Sequence, residues 1–211
     1  MAGAKPLLAA AILTLPANAP PFEPTAADQA AARATLLKAS DLGTSWTGGV
    51  KPAGKPSPPS CPGFAPKESD LTVTGHALST FQKDGVDVES DVEVLQTSAF
   101  VRTDFSRTIR PPLARCLGLT FEQQSGGGTT VKVVSSTRVS FPTVAPLTAA
   151  YRVVADVATS AGRARLLVDF VFIGKNRTEI TLDITAPVQA QSALRPVEAR
   201  LAKILAARAK V

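Results

Sequence analysis

The clearest pattern in the chain is a pair of alternating runs, residues 71–82 and 86–96, joined by Lys83-Asp84-Gly85. In the second run Val86, Val88, Val92 and Val94 fall on one face and Asp87, Glu89, Asp91 and Glu93 on the other, because successive strand side chains point to opposite sides. The short polar link, with glycine where a positive backbone angle is wanted, predicts a hairpin. Four more strand runs follow at 131–141, 150–157, 165–173 and 178–185. Short turns at Ser160-Ala161-Gly162 and Gly174-Lys175-Asn176 make the last three an antiparallel meander.

Between and around these runs the period changes to that of a helix. Residues 25–40 are Ala-rich, with Thr25 as cap and Leu36 and Leu37 near the end. Residues 98–109 place Phe100, Val101, Phe105 and Ile109 on one side, and residues 113–119 form a second short piece after Pro111-Pro112. The last helix, 187–210, carries an apolar stripe of Leu194, Val197, Leu201, Ile204 and Leu205. Residues 48–66 contain four glycines and six prolines, which neither a helix nor a central strand accepts, so they predict a loop. The sum is an α+β domain: a twisted antiparallel sheet of about six strands, helices packed on one face, and a polar face bearing Asp87 to Glu93, Glu179 and Asp183.

The length allows one substantial core. The organisation predicted is a signal peptide at 1–19 followed by a single domain at 20–211. Lys5 precedes an apolar stretch (Leu7, Leu8, Ile12, Leu13, Leu15) too short to span a bilayer, and small residues follow at Pro16-Ala17-Asn18-Ala19. An Ala-rich terminal helix is the alternative. Export makes the two cysteines, Cys61 and Cys116, a candidate disulfide, which would contribute roughly 4 kcal/mol in the chain-entropy picture. Two unrelated buried thiols remain the other reading.

A net charge of +6 and a pI near 9.6 attract anionic partners. The basic residues are scattered and aromatics make up only 5% of the chain, so no stacking platform for single-stranded nucleic acid is present and nucleic acid is not an expected partner.

The carboxylates Asp87, Glu89, Asp91 and Glu93 repeat at about 6.5–7 Å along one strand face, a spacing that overlaps that of glycosidase acid and base pairs. Their expected role is nonetheless a solvated face, paired across strands with Lys132, Arg138 or Arg152. His76, the single histidine, cannot be placed beside Ser79 or Ser140 by sequence, and no Gly-x-Ser-x-Gly elbow occurs, so no catalytic residue is assigned. Two thiols and one His lack the spacing of zinc motifs, so neither metal nor cofactor is expected. Trp46, beside Gly48 and Gly49, reads first as a plug docking the first helix to the core. With Phe64 it is the candidate for ligand contact.

The stretch Leu36-Leu37-Lys38-Ala39-Ser40-Asp41-Leu42-Gly43-Thr44-Ser45-Trp46 resembles the opening of an actinobacterial extracellular sensor-domain family, which includes the C-terminal sensor of mycobacterial receptor kinases of the PknH type and free-standing envelope proteins. The later order is similar too: a Cys in a Pro-rich loop, a hairpin, a helix ending near Ala114-Arg115-Cys116-Leu117, a meander and a final amphipathic helix. The resemblance implies a non-enzymatic ligand-binding or sensing domain with a cleft. The chain departs from the kinase sensor in having two cysteines where that domain has four, and no kinase domain precedes it in the 211 residues, so signalling through a kinase is not expected.

These observations together predict a monomeric, non-catalytic protein of the cell envelope or exterior. Its cleft, between the sheet and the Cys61 loop, would receive a small ligand or a cell-envelope polymer. Peripheral docking to an anionic envelope surface is the alternative and a weak hydrolase the third reading.

Overall fold

A computed structural model describes residues 18–211. The export segment expected at 1–19 lies outside the described residues, except for Asn18 and Ala19.

The elements run α1 (Ala26–Thr35), α2 (Ala39–Leu42), β1 (Thr47–Lys51), β2 (Val73–Lys83), β3 (Val86–Leu95), α3 (Ser98–Thr108), α4 (Pro112–Glu122), β4 (Thr130–Val139), β5 (Leu147–Thr159), β6 (Gly162–Lys175), β7 (Thr178–Pro187), a 3-10 turn (Val188–Ala190) and α5 (Gln191–Arg208). All seven strands form one antiparallel sheet in the order β1-β2-β3-β7-β6-β5-β4. The hairpin and the meander predicted from alternation are both present, joined because β7 folds back against β3.

The strand that the pattern hides is β1. Gly48 and Gly49 read as loop, yet they pair with Phe81 and Thr80 of β2. A side chain at Gly48 would run into the Thr80 carbonyl, so the glycine permits the close approach of this edge strand.

The turn between β2 and β3 has positive φ at both Asp84 (50°) and Gly85 (78°), the mirror-image turn whose twist matches a tight hairpin. At the start of α1 the Thr25 hydroxyl accepts from the Asp28 N–H at 3.1 Å, as the cap reading expects. That helix ends at Thr35, earlier than its Ala-rich pattern suggests. Leu36 turns extended and both Leu36 and Leu37 drop into the core at 1% exposure, because their burial outweighs one more helical turn.

Helices occupy both faces. On one, α1 and α5 cover Val88, Val92, Leu167, Val171, Leu182 and Ile184. On the other, α4 with the flank of α3 covers Tyr151, Val153, Ala155, Val168, Phe170 and Phe172. The expectation of helices on one face describes α1 and α5. The second layer exists because β5 and β6 are apolar on both sides and can shield those sides only if each is covered.

Cys61 and Cys116 form a disulfide. It ties the Pro-rich loop, which leaves β1 at Lys51, to the buried face of α4. None of the described helices is long and apolar enough to cross a membrane.

Candidate functional site: an acidic cleft under the Pro-rich loop

The polar face of β3 is not a solvated face. Strand order decides this: β3 lies between β2 and β7, so the neighbours of its carboxylates come from those strands, whereas Lys132 and Arg138 sit on β4 at the opposite edge. Arg152 faces the other side of the sheet, where it makes a two-pronged ion pair with Asp169. The partners expected for Asp87, Glu89, Asp91 and Glu93 are therefore absent. Glu89 instead lies opposite Asp183, and Glu93 opposite Glu179. Like charges directly across a ladder repel, and here there are two such pairs.

Three elements close this face. Helix α3 brings Asp104 and Thr108 over it, the segment before β2 brings Glu68, and the Pro-rich loop lays Ser57, Pro58 and Pro59 across it. Together they bound a cavity of about 130 Å³ lined by the carboxylates Glu68, Asp91, Glu93, Asp104 and Glu179, with Phe172 and Thr181, and no Lys or Arg lines it. Arg107, one turn along α3, points outward instead, donating to Asp70 at 2.7 Å and to the Lys67 carbonyl at 2.6 Å.

His76 stands at one end of this row. It is 5% exposed, opposite Glu93 in the β2–β3 register. Its Nδ1 lies 2.9 Å from the Gly54 carbonyl and its Nε2 2.8 Å from Asp91 Oδ1. A carbonyl only accepts, so Nδ1 carries a proton and Nε2 is the nitrogen turned to the carboxylates. The donor atoms of His76, Asp91 and Glu93 all lie within 4.8 Å of one another. His76 also lines a recess of about 570 Å³ at the β1–β2 edge with Phe22, Arg33 and Gly54.

Burial sets the electrostatics. For Glu68, desolvation, then the charges of Asp104 and Glu93, push the carboxyl to about 10. Desolvation, then Asp91, takes Glu93 to about 8 against the pull of His76. Glu179 is raised well above the carboxylate range by burial and by Asp104. For His76 burial acts downward, but the hydrogen bond and charge of Asp91, with Glu93, outweigh it and raise the ring to about 9. A site that resists carboxylate ionisation this strongly is relieved by any cation that enters it, a proton included.

Two further facts mark the cleft as incomplete electrostatically. Glu179 Oε1 is fully buried and meets no hydrogen-bond donor. Glu68, at 6% exposure, faces the carboxyl of Asp104 rather than a basic group.

The residues singled out for ligand contact lie elsewhere. Trp46 packs against the α1–α5 core, and Phe64 is 3% exposed beside the disulfide, where its backbone pairs with Cys61 at 2.8 Å in both directions. Neither lines the acidic cavity. Ser79 points to the opposite face from His76 and pairs with Ser90 at 2.8 Å, so these two do not form a nucleophile and base. What sequence reasoning missed was the company of His76. The turn register alone sets it across from Glu93, whereas Glu68 and Asp104 arrive only through the tertiary fold.

No protein-family profile matches this chain, and no curated protein matches it. Among solved structures the chain is similar to the extracellular domain of PknH from Mycobacterium tuberculosis. The two share 15% identity over 90% of this chain and 99% of that one, with a TM-score of 0.45. That likeness has no bearing on the cleft, whose residues stand on their own geometry.

Proposed function

We propose that this chain is a non-catalytic, sensor-like binding domain that works outside the cytoplasm, and that its ligand is cationic and is received beneath the Pro-rich loop. The observation that carries the reading is the cavity lined by five carboxylates and no basic side chain, under a loop pinned by a disulfide. A disulfide is kept in an oxidising compartment, which supports the location. The expected cleft between sheet and Cys61 loop is present, but about 130 Å³ is well below the roughly 300–1,000 Å³ of sites for organic ligands. Its size and charge suit an inorganic ion or the ammonium tip of a larger molecule.

The test is thermal stabilisation of the mature protein by a cation panel (Ca2+, Mg2+, Zn2+, Mn2+, spermidine, arginine), repeated on Glu93→Gln and Asp104→Asn. Stabilisation by at least one cation, weakened in both variants, is expected. A flat response to the whole panel at millimolar concentration overturns the reading.

A second reading, docking to an anionic envelope polymer, draws on a shallow hollow on the β4–β6 side of the sheet where Lys132 and Arg163 stand beside Arg165, which is itself paired with Asp156. Binding there would collapse between low and moderate salt, whereas the buried cleft is screened far less.

A further inference from the structure

The cleft is not uniform, and its His76 end narrows the class of cation. Three features converge. First, the histidine is preset: Nδ1–H donates to the Gly54 carbonyl at 2.9 Å, which leaves Nε2 as the nitrogen directed at Asp91 and Glu93. Metal-ligating histidines are held in this manner, one ring nitrogen on a backbone carbonyl and the other on the ion. Second, the three donor atoms fall within 4.8 Å of one another, the separation that atoms bound at about 2.0–2.2 Å around one ion can reach with small rotations. Third, the carboxyl groups outnumber their partners: Glu179 Oε1 is buried without a partner and Glu68 is 6% exposed in the same cavity, which no basic side chain lines.

We infer that His76, Asp91 and Glu93 bind a divalent first-row transition-metal ion, Zn2+ or Mn2+, beneath the Pro-rich loop. This deepens the cationic reading above and rests on it. Imidazole makes the choice among divalent ions, since Ca2+ and Mg2+ take oxygen ligands and a site for them has no use for Nε2. On binding, His76 gives up its Nε2 proton and Glu93 its carboxyl proton to solvent, the Nε2–Asp91 hydrogen bond is replaced by one bond from each to the ion, and Glu93 supplies the third. Glu68, Asp104 and Glu179 form the outer ring of carboxyl groups around it. Gly54, through its carbonyl, acts as the positioning group, so the loop that covers the site also orients the ligand.

The experiment uses the tag-free mature protein, freed of metal by a chelator. Calorimetric titration with Zn2+, Mn2+, Ca2+ and spermidine is paired with nitrogen NMR of the ring, whose signals are unambiguous because the chain has one histidine. Binding of Zn2+ or Mn2+ at one ion per chain is expected, with a shift or paramagnetic loss of the Nε2 resonance. His76→Gln should weaken that binding at least about tenfold while leaving spermidine binding in place. The wild-type Nε2 signal decides the matter even where His76→Gln fails to fold, and Glu93→Gln gives a second variant.

Zn2+ and Mn2+ binding that leaves the Nε2 resonance unmoved overturns the inference. Spermidine or Ca2+ binding without either transition metal also overturns it while the cationic reading stands. Failure of every cation removes both.

Discussion

Cys61 and Cys116 stand with their Cα atoms 5.5 Å apart, and this single link holds the Pro-rich loop between the buried face of α4 and the carboxylates of β3 and β7. The loop's other anchors are Phe64, at 3% exposure in the core beneath α4, and the buried Pro56 and Pro66. Its prolines donate no backbone hydrogen bonds, and its hydrogen-bonded ties are the Cys61–Phe64 pairing and the Gly54 carbonyl at His76. Replacing both cysteines by serine should therefore lower stability by about 2–4 kcal/mol and speed amide exchange within residues 53–61. The slow amides of β2 and β3 should keep their order. Loop amides exchanging at the wild-type rate in the reduced form would show that the disulfide is not what holds the lid.

Gly75 reports on the docking of α1. A Cβ there would collide with the Asp28 carbonyl, so the helix rests directly on the β2 backbone. Gly75→Ala is expected to cost about 1–3 kcal/mol by overpacking, read from denaturant midpoints. Gly54→Ala, where nothing lies within 4 Å of the added carbon, should be near neutral.

The face away from the cleft carries its own charged group. Arg152 donates from Nε to Asp169 at 2.6 Å and from Nη2 to the second oxygen, with Asp169 only 2% exposed. Arg152→Ala leaves that carboxylate buried and unpaired and should cost about 3–5 kcal/mol. Replacing both residues by apolar side chains of similar volume should recover most of the loss. A double variant no more stable than the single one would mean the site cannot repack.

Glu198 sits against this pair at 3% exposure, its Oε1 without a partner. Burial, then the hydrogen bond and charge of Asp169, raise its carboxyl to about 8. The folded protein thus holds this proton more tightly than the unfolded chain does. The stabilisation is complete below the ordinary value of 4.5 and is lost as pH rises through about 8. Glu198→Gln keeps a hydrogen-bond donor and cannot ionise, so at pH 8.5 it should raise Tm by about 2–4 °C, the shift about 1 kcal/mol produces in a chain of this size. The cleft carboxylates drive wild-type stability in the same direction, so the difference between the two proteins carries the result. A Tm difference that does not change between pH 4 and pH 8.5 would refute it.

Much of this architecture was legible along the chain because its causes are local. Alternation in β2 and β3, the Asp84-Gly85 turn, the Thr25 cap and the helical spacing of α3 and α5 each follow from neighbours a few residues apart. The Cys61–Cys116 pairing was open to inference for another reason: an exported chain with two cysteines has one bridge to make. β1 was hidden because its glycines carry no side-chain pattern, and only contact with β2 gives them strand geometry.

The candidate site divides along the same line. From sequence alone comes the row Asp87, Glu89, Asp91, Glu93; that His76 stands opposite Glu93 follows from the two-residue Asp84-Gly85 turn seen in the structure, one residue shorter than the link read from the sequence. What those groups do was decided by tertiary structure. An alternating strand shows which residues share a face but not what covers it, and solvent exposure and protonation depend on that cover. The return of β7 to β3 set Glu179 and Asp183 across from like charges, α3 brought Asp104, and the tethered loop covered part of the face. Those long-range contacts turn a row of carboxylates that would be ordinary at a solvated surface into a half-buried site with more carboxyl groups than basic partners.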